Sequence, residues 1–323
     1  MSADFDFRLR PLLVLPPALL AGAVALGVIA GWHDLAQATV NGLVSGNYFA
    51  LGAVGLTLIF GVLRLVNFAH GEYMTVGAYM MLVAHSLGAP LLVAAVFGVV
   101  ATGCFGIALE LILWRPVRRK RVGELQLLLL ALGLAFLVRN GIAFIAGPTD
   151  RQTPADVTAA VSAIGLRIGR TELIVTLIGL ATIVATALML RSTSLGRQTR
   201  ALADDVSLAE TTGINTDRIV LLTWALSAAL AGLGGIIYAL PAGSANPGLG
   251  FSLILSIFAA VVVGGVGNAY GALAGGLLIG IAQEWSTLVI APQLKVAVGF
   301  GALILVLLVR PNGLFAARRT ADR

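Results

Sequence analysis

The sequence predicts an all-α membrane protein, a polytopic bundle with about 8–10 transmembrane helices, and three observations carry that expectation. The 323 residues are 59% hydrophobic and only 11% charged, with a mean hydropathy of +0.98. Apolar runs of roughly 20 residues, the length a helix needs to cross about 30 Å of hydrocarbon, recur along the chain. The alternating pattern of a β-barrel is absent, and backbone amides in hydrocarbon must bond within their own segment, so the runs are helices.

Taken in order, the crossings are expected near 11–31, 36–62, 69–86, 91–113, 124–146, 171–190, 217–240, 251–266, 269–290 and 294–310. The first begins after Arg8 and Arg10 and is followed by Leu35-Ala36-Gln37-Ala38, which could pass for a cleaved secretory signal. The apolar stretch is long enough to span, so it reads as a retained helix. Placing the N-terminus in the cytoplasm leaves sixteen of the 21 basic residues on that side, four outside (Arg151, Arg167, Arg170 and Lys295) and Arg139 within a helix. The bias obeys the positive-inside rule and puts both termini in the cytoplasm. Five helices on either side of the external segment 147–170 would enter from opposite sides, which permits an inverted repeat. Segments 69–86 and 251–266 are short and flanked by polar or glycine-rich residues, so either can be a broken or re-entrant helix.

The charge of +6 follows this topology and does not mark a nucleic-acid surface. The single cysteine, Cys104, excludes a disulfide framework and reads as a small packing residue. Only two lysines occur, Lys120 and Lys295, and no G-x-x-x-x-G-K-[ST] loop, so the chain has no means of hydrolysing nucleotide. His33, His70 and His85 lack metal-ligand spacing, and no nucleophile, base and orienting acid stand together. No catalytic residue, metal site or directly bound cofactor is expected.

Three clusters remain. Arg64, Asn67, His70 and Glu72 lie between two apolar runs, followed by Gly77 and Tyr79. They read as a broken-helix element lining a translocation path, or as a turn in which Glu72 complements the dipole of the next helix. From Gly264 to Gly280, glycines 267, 271 and 275, then 276 and 280, recur every four residues. That places them on a helix face for close packing, as do Gly42 and Gly46, while the Gly264, Gly265, Gly267 and Asn268 break could also offer backbone groups to a solute. Glu110 and Arg139 read as snorkelling side chains, and Glu284 as a weaker site candidate. Third, 194–216 is a polar island in which Leu202, Val206 and Ala209 fall at helical spacing and Gly213 can close the helix in a left-handed cap. It reads as an amphipathic docking helix under the bundle, or as a solvated loop helix.

These motifs resemble, over about residues 36–315, the membrane permeases of the high-affinity branched-chain amino acid ABC importers. The similar stretches are Gly55 to Val62, Val66-Asn-Phe-Ala-His-Gly-Glu72 with Gly77-Ala-Tyr79, Gly196 to Arg218, Gly264 to Gly271, and the ending Val309-Arg310-Pro311-Asn312-Gly313-Leu314-Phe315. The Asn-Phe-Ala-His-Gly-Glu run is that of the first of two paired permeases. The resemblance implies one permease domain over 1–323 working with a second homologous permease, two cytoplasmic ATPases that use the ATP, and a periplasmic substrate-binding protein. The location implied is the bacterial inner membrane, with membrane lipid and no nucleic acid as further surroundings. By the same likeness 194–216 is the coupling segment, with 201–213 its coupling helix and Gly196, Arg197, Arg200, Asp204, Asp205, Ala209, Glu210 and Gly213 its ATPase-coupling residues. Many importers of this family carry Glu-Ala-Ala where Ser207-Leu208-Ala209 stands, so individual contacts do not transfer. Leucine, isoleucine and valine are the implied solutes. Urea or short amides, whose permeases are similar, are the alternative, and a stand-alone secondary transporter is a further one that would require more intramembrane charges.

Overall fold

A computed structural model describes residues 10–120, 122–163, 165–310 and 313–315. Arg8, Arg121, Arg318, Arg319 and Arg323, and Pro311 and Asn312 of the closing motif, lie outside the described residues.

Helices follow the apolar runs: α1 (Arg10–Ala30), α2 (Trp32–Leu63), α3 (His70–Ser86), α4 (Leu91–Leu109) and α5 (Arg115–Arg119), then α6 (Glu124–Ala146). A π-helical turn, Glu110–Trp114, joins α4 to α5. After the segment that follows α6 come α7 (Arg170–Ser192), α8 (Ser194–Asp204), α9 (Val206–Thr211), α10 (Thr216–Ala242), α11 (Leu249–Gly264), α12 (Ala269–Ser286) and α13 (Lys295–Val309). Six of these stretches are long and apolar enough to cross a membrane: 32–63, 91–119, 124–146, 170–192, 216–242 and 292–309.

The long helix α2 relates the two faces of the bundle. At its start, Gln37 bonds both ways with the backbone of Arg167, at 2.7 and 2.9 Å, and His33 meets the Gly165 carbonyl at 3.0 Å. These contacts seat a hairpin of β2 (Ala160–Ala163) and β3 (Leu166–Gly169) on that face. At its other end, Val62 packs with Leu202, Ala209 and Ile219, beneath α8 and α9.

The two halves of the chain pack alike. α2 lies on α12 and α10 on α4, α3 on α4 and α11 on α12, and α1 on α2 as α7 on α10. The helix that follows the longest one is short in each half, α3 with 17 residues after α2 and α11 with 16 after α10. Small residues permit the two main contacts, since in lipid close packing substitutes for the hydrophobic effect. Gly46 and Gly280 pack backbone to backbone between α2 and α12, and Gly276 sits against Ala50. Gly271 and Gly275 of the same glycine run face α11 at Gly264 and Ala260 instead. The run therefore serves two neighbouring helices, and Gly267 lies outside α12, in the turn before it. On α4 the counterpart is Gly98, Thr102 and Gly106 against Ile236, Gly232 and Ala228. Cys104 lies off that stripe and is exposed. It is thus not a packing residue: a step of two to α4's contact position Gly106 turns its side chain away from α10.

Close backbone packing makes a measurable demand. Gly276→Leu is expected to lower stability by about 2–3 kcal/mol or to prevent folding, because its Cβ overlaps the Ala50 backbone. Gly133→Ala, with open space around it, is expected to be neutral or to stabilise by up to about 1 kcal/mol. Thermal unfolding in detergent checks both, and equal midpoints would refute the packing assignment.

Candidate translocation path and coupling site

At the end of α2 the chain does not turn straight into another crossing. Residues 64–69 run non-helically back into the bundle, and His70, the first residue of α3, meets the Gly52 carbonyl at 2.9 Å through Nε2. Gly52 stands 11 residues before the end of α2, about 16 Å up its axis. So α3 begins near mid-depth. α11 does likewise from the opposite face: Ser244–Ala245 pairs antiparallel with Arg151–Gln152 of the segment between α6 and α7, and the Tyr79 hydroxyl reaches the Ala245 carbonyl at 3.4 Å. The first turns of the two short helices then touch, Gly71 against Gly250, with no room for a side chain on either.

This junction explains the first polar cluster. Non-helical backbone at membrane depth must find partners inside the protein, and Asn67 Oδ1 accepts from the Ala69 amide at 3.0 Å. Asn67 and His70 are fully buried and Glu72 nearly so. Thr75 donates to Glu72 Oε2 at 3.2 Å and accepts from the Gly250 amide at 3.0 Å. A carboxylate is thereby held one hydroxyl away from the N-terminus of α11, where the helix dipole favours negative charge. Ser227 of α10 donates to the Gly55 carbonyl at 2.7 Å, placing α10 against α2 beside the His70 ring.

The structure does not bring Gly264, Gly265, Gly267 and Asn268 to this cluster. They form the turn at the far end of α11, closed by the described part of the C-terminal motif. Leu314 donates to the Val263 carbonyl at 2.8 Å, and the Asn268 side-chain Nδ2 to the Phe315 carbonyl at 2.5 Å. Asn268 also caps α12, accepting from the amides of Tyr270 and Gly271 at 3.1 Å each.

Three side-chain caps shape the polar island. Thr193 caps α8, Asp205 caps α9 and Asn215 caps α10, accepting from the amides of Gly196, Leu208 and Arg218. The single helix expected from the Leu202, Val206, Ala209 spacing is therefore broken at Asp205. Leu202 and Ala209 are buried, whereas the break turns Val206 outward, 45% exposed. After α9, Gly213 adopts φ 82°, with Gly213 N–H on the Glu210 carbonyl and Ile214 N–H on that of Ala209. This is a Schellman cap, which requires the left-handed residue that glycine supplies most readily. Gly196 packs on the Leu190 backbone, Arg200 donates to the Leu190 carbonyl, and Arg197 to that of Ser192 at 3.1 Å. Both arginines thus cap the end of α7. Glu210 accepts from Thr216 at 3.1 Å. Asp204, Asp205, Val206, Ser207 and Leu208 form a continuous exposed ridge, Leu208 being 64% exposed, and residues 210–213 are exposed beside it.

Two charges differ from their sequence reading. Glu110 does not snorkel: it is buried in the π-helical turn and takes a two-pronged bond from Arg118, one prong at 2.9 Å. The carboxylate stays inside because its partner lies eight residues on, across the π turn. Arg139 does not reach for the membrane surface either. Its guanidinium lies over the Phe251 ring, 5.1 Å from the centroid, beside the first turn of α11. Sequence reasoning missed Thr75, Gly250 and Phe251 at that turn. The signal was the Gly243-Ser-Ala-Asn-Pro-Gly248 run, a string of breakers within apolar sequence.

A many-helix bundle with two short helices meeting at mid-depth, and a capped amphipathic pair at one face, defines a polytopic membrane transport subunit. The chain belongs to the family described as branched-chain amino acid transport system / permease component, matching it over residues 38–308. It is 33% identical over 297 residues to the high-affinity branched-chain amino acid transport system permease protein BraD of Pseudomonas aeruginosa, covering 88% of this chain and 96% of that one. To the corresponding LivH protein of Escherichia coli it is 32% identical over 292 residues, 86% and 94% of the two chains. The probable branched-chain amino acid transport permease protein LivH of Methanocaldococcus jannaschii is 31% identical over 278 residues, 81% and 83% of the two.

The buried Glu110–Arg118 pair is testable. Glu110→Leu leaves a partly buried guanidinium without its counter-charge and is expected to cost about 3–5 kcal/mol, while the double change Glu110→Leu with Arg118→Met restores most of it. Denaturation in detergent measures this, and a double variant as unstable as the single one would contradict the assignment.

Proposed function

We propose that this chain is the permease subunit of an ATP-binding-cassette importer, forming the translocation path for leucine, isoleucine and valine. The observation that carries the reading is the end-to-end likeness to permeases named for branched-chain amino acid transport. In this reading the chain is one permease domain in the bacterial inner membrane, with both termini cytoplasmic. It pairs with a second homologous permease and takes solute from a periplasmic binding protein. It binds no cofactor of its own, and two cytoplasmic ATPases supply the hydrolysis.

The mechanism follows from how the segments are joined. The ATPases engage the outward ridge Asp204–Leu208. Closure of the ATPase pair around ATP presses on α8 and α9, and Leu202 and Ala209 pass the displacement to Val62 of α2 and Ile219 of α10. Those long helices meet again at the Gly55–Ser227 bond, beside His70 and the junction of α3 with α11. A shift there opens the path alternately to either side. Asn67, His70 and Glu72 set the mid-depth geometry of the path, and Gly264, Gly265, Gly267 and Asn268 its cytoplasmic end. Among the coupling residues, Gly196, Arg197, Arg200 and Gly213 hold the segment's shape, and Asp204 and Asp205 stand on its outer surface.

Co-purification of the tagged chain with its neighbours, followed by reconstitution, tests the assembly. Such vesicles are expected to take up leucine on addition of ATP and binding protein, and uptake of urea or amides instead would replace the solute assignment. Leu208→Asp changes an exposed side chain, so insertion and thermal stability are expected to hold while ATP-driven uptake falls roughly tenfold, the loss of one interface anchor. Uptake at the wild-type rate would remove α9 from the ATPase contact.

A further inference from the structure

Arg139 is a cation in the interior of a membrane-crossing helix, seven residues before the end of α6 and so about 10 Å below it. No carboxylate lies within ion-pair distance of it among the described residues. A charge at such depth is costly and as a rule faces a partner or a solute pathway. Its guanidinium is turned inward, over Phe251 and so close to the first turn of α11 that a Cβ at Gly248 would lie 3.2 Å from Nη2. The rings of Phe136 and Phe251 stand 6.1 Å apart and are 51% and 40% exposed. Behind them is Glu72, whose bonded neighbour is Thr75.

We propose that Arg139, the first turn of α11 and the rings of Phe136 and Phe251 form a receiving site for an aliphatic α-amino acid within the translocation path. This rests on the importer reading above and names the atoms that meet the solute. The planar guanidinium matches a carboxylate with two parallel hydrogen bonds, and the N-terminus of α11 adds positive potential at the same place. The two phenyl rings offer an apolar surface to the branched side chain. The site therefore selects solutes that pair a carboxylate with an apolar side chain, independently of the binding protein.

Ser252, exposed on α11 next to Phe251, gives a direct readout. In the complete reconstituted transporter, Cys104→Ser with Ser252→Cys provides one thiol beside the site, read by reaction with an anionic and a cationic methanethiosulfonate. Leucine and valine are expected to slow the reaction, and leucinamide, which lacks the carboxylate, is not. The anionic reagent is expected to react faster than the cationic one. Adding Arg139→Gln is expected to weaken leucine protection roughly tenfold, as for one lost charge-assisted contact, and to erase the anion preference, while Arg139→Lys keeps part of both. A thiol that is unreactive, indifferent to leucine, or protected equally by leucinamide overturns the site, as does protection that survives Arg139→Gln. Leucine uptake by the same vesicles separates the two readings: uptake without protection defeats the site alone, and no uptake of any branched-chain amino acid defeats both.

Discussion

Hydrocarbon offers no hydrogen bonds, so any backbone that leaves the helical pattern at membrane depth has to be satisfied from within the protein. Among the described residues the bundle breaks that pattern at 64–69 and at 243–248, and much of its architecture answers these two breaks. The Asn67 side chain takes the Ala69 amide, Thr75 takes the Gly250 amide, and β1 (Arg151–Gln152) pairs with β4 (Ser244–Ala245). The long helices α2 and α10 enclose the junction, and glycines at Gly71 and Gly250 let the two short helices abut. Two helix N-termini thereby converge inside a low-dielectric interior, a place where charge is expensive unless it is matched.

The charged residues gathered there follow from that potential. Glu72 sits one hydroxyl from the start of α11 and complements its dipole. Arg139 brings a positive charge to the same turn, with an aromatic face in place of a counter-ion. At the opposite end of the long helices, Arg197 and Arg200 cap α7, so the basic residues of the polar island stabilise a helix corner, and the outward ridge is left acidic and apolar. The link between these regions is short: a small apolar cluster of Val62, Leu202, Ala209 and Ile219, then the rigid lengths of α2 and α10.

The internal symmetry is one of packing more than of sequence. α2 on α12 and α10 on α4 are equivalent contacts built on different residues, Gly42, Gly46, Gly276 and Gly280 in one and Gly98, Thr102, Gly106 and Gly232 in the other. Small size is the shared requirement, and glycine, alanine and threonine meet it interchangeably, which is why matching residues between the halves hides the repeat that helix order and contact order display.

Composition and periodicity determined the class of this protein, because each crossing is a local matter: about 20 apolar residues in sequence are enough to make a helix in lipid. The local signals at Asp205, Gly213 and Asn215 were also within reach, since caps act over three or four residues, and the family motifs from Gly55 to Phe315 gave the kind of transporter. Depth and facing were not. That α3 starts halfway across depends on a bond between His70 and Gly52, eighteen residues apart in sequence. That Glu110 stays inside depends on the π turn that aims Arg118 back at it. Arg139 meets Phe251 from a helix over a hundred residues away, so its direction was decided only when α6 and α11 packed, and a side chain able to reach the membrane surface was turned inward by that contact.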